Sequence, residues 1–182
     1  GWLTAEYSML PTSALPRQPR EKNQGGRTTE IQRLIGRALR ACLNLDALPP
    51  LTIRIDVDVL VADGGTRTAG ISGAFISLAS LIYQERFKMK ANPLKRQVAA
   101  VSVGILGQDI LLDLSYEEDS VCDVDANIVK SRDGSIIEIA VGAERRTYSM
   151  EELQKILQLA DKGLEVIYRE QEKYLPKGLV FG

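Results

Sequence analysis

Residues 63 to 68 read Asp-Gly-Gly-Thr-Arg-Thr, between an alternating apolar segment and a run rich in small residues. A strand that ends in two glycines and passes straight into a helix suits an anion, because the backbone can approach closely and the first-turn N–H groups point at the ligand. Arg67 adds a planar, permanently charged fork. On its own a Gly-Gly pair is more often an ordinary tight turn, and no Gly-Lys-Ser/Thr follows to make a Walker-type loop. A second segment is acidic, with seven acids and no base between Asp109 and Asp125. Asp119 and Asp125 within it are oxygen donors of the kind that hold Mg²⁺ together with several waters. Exposed strand-end acids are the commoner reading of such residues. A third segment is basic: Arg17, Arg20, Lys22, Arg27, Arg33, Arg37 and Arg40 stand against only Glu21 and Glu30. It suits nucleic acid and equally a solvated helix face with its preceding loop.

The chain contains no histidine, which removes the commonest general base, nucleophile activator and metal ligand. Serine and cysteine hydrolase triads are therefore disfavoured. Proton transfer and metal binding fall to Asp and Glu, and anions to Arg, Lys and backbone amides. The two cysteines, Cys42 and Cys122, are far apart and lack metal-type spacing, so buried free thiols are expected. At 182 residues, 45% hydrophobic and 26% charged, the sequence reads as one domain over 1–182 with a real core. It has no apolar run long enough for a membrane span and no signal-like start, which points to the cytoplasm.

Several elements must position these groups. Residues 1 to 10 open in a strand-like apolar run, and Pro11, Pro16, Pro19, Gly25 and Gly26 mark residues 11 to 26 as a long mobile loop. From Thr28 to Leu43, apolar residues at three- and four-residue spacing predict an amphipathic helix. Alternation over 52 to 62 predicts a half-buried strand carrying the chain to Asp63, followed by a helix of small residues over about 69 to 87. Strands are expected at Val98–Leu106 and Ile110–Tyr116, and a hairpin joins 126–130 to 135–141 around Asp133-Gly134. Ser149 and Glu152 form a capping box for a closing helix. The order predicts an α+β fold, a mixed sheet with helices packed mainly on one face.

Six strings carry a specific resemblance: Gly-Trp-Leu-Thr-Ala-Glu-Tyr-Ser-Met-Leu-Pro (1–11), Gly-Arg-Thr-Thr-Glu-Ile-Gln-Arg-Leu-Ile-Gly-Arg-Ala-Leu-Arg-Ala (26–41), Ala-Asp-Gly-Gly-Thr-Arg-Thr-Ala (62–69), Asn-Pro (92–93), Ala-Ala-Val-Ser-Val-Gly-Ile (99–105) and Asp-Leu-Ser-Tyr-Glu-Glu-Asp-Ser (113–120). In that order they resemble RNase PH, and the 62–69 string favours it over the polynucleotide phosphorylases and exosome ring subunits. The resemblance implies an RNase PH domain of the ribosomal protein S5 domain 2-like type. It further implies a phosphorolytic 3′–5′ exoribonuclease, a tRNA nucleotidyltransferase that trims tRNA precursors with inorganic phosphate as co-substrate and releases nucleoside diphosphates. By motif, Arg27, Gly65, Thr66 and Arg67 would hold phosphate, with Arg67 and Asp119 catalytic. Asp119 and Asp125 would hold Mg²⁺ or Mn²⁺, and Arg17 and Arg20 would grip RNA. The implied assembly is a homohexamer, a trimer of dimers.

The family pattern also places a segment ahead of Gly1, contributing strands and RNA contacts that this sequence does not contain. Thr12 stands where the family has Arg, Val124-Asp-Ala-Asn where it has Asp-Met-Asn, and Ala140-Val-Gly142 where it has Gln-Gly-Thr. A catalytically silent, RNA-binding ring subunit is accordingly the alternative reading.

Overall fold

A computed structural model describes residues 1–19 and 25–182. Strands β1 (Trp2–Met9) and β2 (Thr52–Val59) form a parallel pair in register from Trp2↔Thr52 to Met9↔Val59. Leu3, Ala5, Tyr7, Ile53 and Ile55 point inward, while Trp2, Glu6, Ser8, Arg54, Asp56 and Asp58 face water. Parallel strands need a crossover, and helix α1 (Gly26–Ala41) supplies it, burying Ile31, Leu34, Ile35, Ala38 and Leu39 against β1. Helix α2 (Thr66–Glu85) has little polar surface to spare. Its Ile71, Ala74, Phe75, Leu78, Ala79 and Ile82 are buried between α1, β2 and the larger sheet.

That larger sheet is antiparallel, in the order β4 (Asp109–Leu112), β3 (Val98–Leu106), β5 (Val124–Ser131), β6 (Ile136–Ala143). Val98, Ala100 and Val129 join the core under α2, whereas Ala99, Val101, Val103, Ile105, Ala126 and Ile128 pack on Ile156, Ala160, Leu164 and Tyr168 of α4 (Met150–Glu172). The layers therefore run parallel pair, α1 with α2, four-stranded sheet, α4. A buried glutamine pair joins three of these elements. Gln171 donates to Ser72 O and Val98 O at 2.9 and 3.0 Å, and Gln97 donates to Gln171 Oε1 at 2.9 Å.

The α+β class expected from the sequence holds, and the arrangement differs in detail. Hydrogen bonding divides the strands into two ladders, and helices cover both faces of the larger sheet instead of mainly one. The cause is β3, whose residues are apolar or small on both faces and so must be covered on both. Strand β2 ends at Val59, leaving Leu60 and Val61 exposed, and β4 stops at Leu112, well before Tyr116. The segment after β1 was expected to be a mobile loop. Through its described part it is tied down: Leu10 N donates to Val59 O (3.1 Å), Gln18 N to Pro11 O (2.9 Å), and Ala62 N to Ser13 O (2.7 Å).

Candidate functional site

Because β1 and β2 are parallel, their C-terminal ends lie side by side, and α2 starts at that end within a few residues of Val59. Ligands of α/β units gather where strand C-termini meet helix N-termini. The turn into α2 depends on its glycines, with Gly64 at φ 71° and Gly65, the N-cap, at φ 56°. A Cβ on Gly64 would lie 2.2 Å from Leu114 O, so this turn sits directly on the 114–116 backbone. Tyr116 N donates to Asp63 Oδ1 (3.0 Å), Leu114 N to Ser102 Oγ (3.3 Å) and Asp113 N to Ser102 O (2.8 Å), which fixes the glycine turn against the larger sheet. We expect Gly64→Ala to cost about 2 kcal/mol, lowering Tm by about 4–8 °C, from left-handed backbone strain and the Leu114 contact together. Gly73→Ala is the contrasting case, because Gly73 lies within α2 with no atom near its Cβ position. It should stabilise by about 0.5–1 kcal/mol. Thermal melts followed by circular dichroism read both.

At the start of α2, the backbone N–H groups of Gly65, Thr66 and Arg67 have no hydrogen-bond partner among the described residues. Thr68 turns inward instead, its hydroxyl donating to Gly65 O at 2.8 Å. Thr66 Oγ1 lies 2.8 Å from the Tyr7 hydroxyl. Arg67 makes a loose 3.8 Å ion pair with the exposed carboxylate of Glu30. That pair brings the first turns of α1 and α2 together, and Arg27, one turn before Glu30 on α1, is exposed beside them. Arg17 is exposed on the segment leaving β1 at this same end. Arg20 lies outside the described residues.

The acidic side comes from the other half of the chain. Asp119 was expected at a strand end, but Tyr116–Val121 forms a short helix, α3, opened by a capping box. Ser115 Oγ accepts from Glu118 N (3.3 Å), and Glu118 Oε2 accepts from Ser115 N (2.9 Å). Helix formation lifts Asp119 off the sheet edge and turns it towards the start of β5. Asp125 lies in β5 opposite Gly104 and is half-buried, with Asn127 Nδ2 donating to both its oxygens at 3.4 and 3.2 Å. Burial, and next the like charge of Asp119, push the Asp125 carboxyl upward, while Arg67 and Asn127 pull it back down. Asp119, Asp125 and Arg67 thus share one electrostatic site, although Arg67 and Asp125 belong to separate layers.

Both cysteines are free and buried, as expected. Burial pushes the Cys42 thiol up to about 12. Burial and the neighbouring Asp125 and Asp119 raise that of Cys122. Neither is an activated nucleophile. No cluster of three or more metal-ligating side chains occurs among the described residues. A close pair of carboxylates still matches Mg²⁺, which commonly takes one or two protein carboxylates and completes its shell with water and substrate phosphate. Sequence reasoning passed over three residues that build the site. They are Asp63 and Ser102, whose side chains hold the turn, and Tyr7. Only Ser115 and Glu118, spaced as a capping box, announced the local structure.

Open amides and an arginine at the start of α2 lie within electrostatic reach of the half-buried Asp125 carboxyl, a setting suited to an anion. Residues 1–82 match domain 1 of the 3′ exoribonuclease family, and residues 96–163 match domain 2. The chain belongs to this family, the RNase PH family. The crystal structure of rice (Oryza sativa) Rrp46 is similar over 97% of this chain and 72% of its own, with a TM-score of 0.70 and 18% identity. That likeness speaks for the fold, and the RNase PH domain expected from the sequence is the fold observed. Among the described residues no helix is long and apolar enough to cross a membrane.

Proposed function

We propose that this chain is a phosphate-dependent 3′–5′ exoribonuclease that trims the 3′ ends of tRNA precursors and other RNAs and releases nucleoside diphosphates. The observation that carries this reading is Arg67, at an open helix start and within electrostatic reach of Asp125, on which Asp119 also acts. In this reading Arg27, Arg67 and the amides of Gly65 and Thr66 bind inorganic phosphate and aim one oxygen at the last internucleotide phosphorus. A new P–O bond forms there and the bond to the 3′-oxygen of the penultimate nucleotide breaks. The departing oxygen takes up a proton through Asp119, and the terminal nucleotide leaves as a diphosphate. Mg²⁺ or Mn²⁺ held by Asp119 and Asp125 would add positive charge at the scissile phosphate. Phosphoryl transfer depends mainly on positioning and charge, so the lack of histidine is no obstacle.

Arg17 and Arg20 contact the RNA backbone in this reading, the functional unit is a homohexameric ring built as a trimer of dimers, and the setting is the cytoplasm. The test is release of nucleoside diphosphates from a tRNA with a 3′ extension, measured with and without phosphate. We expect release only with phosphate. Monophosphate products, or none, refute it. The alternative is a silent RNA-binding ring subunit. Salt-sensitive tRNA binding without diphosphate release would mark that outcome.

A further inference from the structure

Tyr7 is the third inward-facing residue of β1, after Leu3 and Ala5, and its ring lies in the core with only 5% of its surface exposed. A phenylalanine would fill that volume equally well. A buried phenol hydroxyl is costly unless it is hydrogen-bonded. The partner of this one is Thr66 Oγ1, 2.8 Å away, on the first residue of α2. Two hydroxyls can share a bond in either direction, and a phenol, the stronger acid, is the better donor. With Tyr7 donating, Thr66 accepts and keeps its own hydrogen for a third group. Thr68, on the other side of Arg67, has already committed its hydroxyl to Gly65 O. Of the two threonines flanking Arg67, Thr66 alone has a hydroxyl proton to offer beside the open amides of Gly65, Thr66 and Arg67.

We infer that Tyr7 is a positioning residue for inorganic phosphate: it donates to Thr66 Oγ1 and so fixes the Thr66 hydroxyl as a donor to a phosphate oxygen. This rests on the phosphate role proposed for the start of α2. Tyr7 touches no reacting atom. It acts through Thr66, so its effect should vanish when the Thr66 hydroxyl is absent.

The experiment is a double-mutant cycle with Tyr7→Phe, Thr66→Val and the two combined, read as KM for phosphate, KM for RNA and kcat. We expect each single change to raise KM for phosphate about tenfold, the scale of one hydrogen bond to a charged ligand. RNA KM and kcat should stay within about twofold, because the lost contact binds phosphate before and during reaction alike. The double variant should match Thr66→Val alone, and Thr66→Ser, which keeps the hydroxyl, should stay near wild type. Multiplying effects in the double variant, or a Tyr7→Phe phosphate KM within twofold of wild type, would overturn the inference. A purely structural tyrosine would lower Tm and kcat together. Phosphate binding to the RNA-free protein, followed by phosphorus NMR, separates the two levels. Wild type that binds phosphate and releases diphosphates, beside an unaffected Tyr7→Phe, sinks the positioning role only. Wild type that does neither sinks the proposed function and this inference with it.

Discussion

Replacing Arg67 with alanine lowers phosphate-dependent release of nucleoside diphosphates by on the order of 10³-fold, the effect of removing a preorganised donor from developing charge. The folded state should barely notice. Among the described residues Arg67 holds only the 3.8 Å ion pair with exposed Glu30, and such surface pairs contribute about 0–1 kcal/mol. Unchanged thermal melts beside lost turnover would therefore place the arginine in the chemistry. Arg67→Lys should recover only part of the rate, because an ammonium offers charge without the planar two-point fork. There is a second consequence inside the site. Arg67 is the cation that opposes the upward push on Asp125, so its loss moves that carboxyl further up. Initial rates across phosphate and Mg²⁺ concentrations separate the two contributions. Activity within tenfold of wild type at saturating Mg²⁺ excludes the role given to Arg67.

Asp125→Asn should abolish turnover and, in the absence of divalent cations, raise Tm by a few degrees, the scale of about 1 kcal/mol in a chain of this size. The sign follows from linkage. The carboxyl is displaced upward from its ordinary 3.8, chiefly by burial and then by Asp119. Between the unfolded and folded values the native state binds more protons than the unfolded chain, so stability falls as pH rises through that window. Above it, the ionised carboxylate strains the fold, and asparagine removes that strain while keeping the shape. Added Mg²⁺ should raise the Tm of the wild type and leave Asp125→Asn almost unmoved, with the wild-type gain growing as pH rises across the same window. A variant melting below wild type without cation, or gaining equally from Mg²⁺, contradicts the assignment. Stability given up at a functional carboxylate is a common trade.

The sequence was most legible where periodicity was strong and local. Helix α1 begins two residues from its expected start, β3 runs from Val98 to Leu106 as read, and the Ser149–Glu152 capping box opens α4. The same signature at Ser115 and Glu118 went unread because it lies in an acidic run that follows a strand, and the run was extended as strand through Tyr116. Leu60 and Val61 prolonged the apolar pattern of β2, although the chain turns to water there. The layer order could not be read, since an apolar strand states that it is buried but not against what. The turn into α2 was legible as glycines and an arginine suited to an anion. Its opposition to Asp125 was not, because 57 residues lie between Arg67 and Asp125 and the packing of α2 on β3 brings their elements together. Resemblance to RNase PH named Arg67 for phosphate and Asp119 with Asp125 as an acidic pair, each by its own motif.

Under the proposed function, the buried body of α2 also sets when the chain can act. Its first turn carries the anion-binding wall, encoded before residue 68, while the acidic wall is encoded only after residue 118. A chain emerging from synthesis therefore carries the Gly-Gly-Thr-Arg turn with no acidic wall to oppose it until β5 has paired with β3 beneath the helix. On that reading, completion of the core and onset of chemistry are one event, with tertiary packing as the licence to operate.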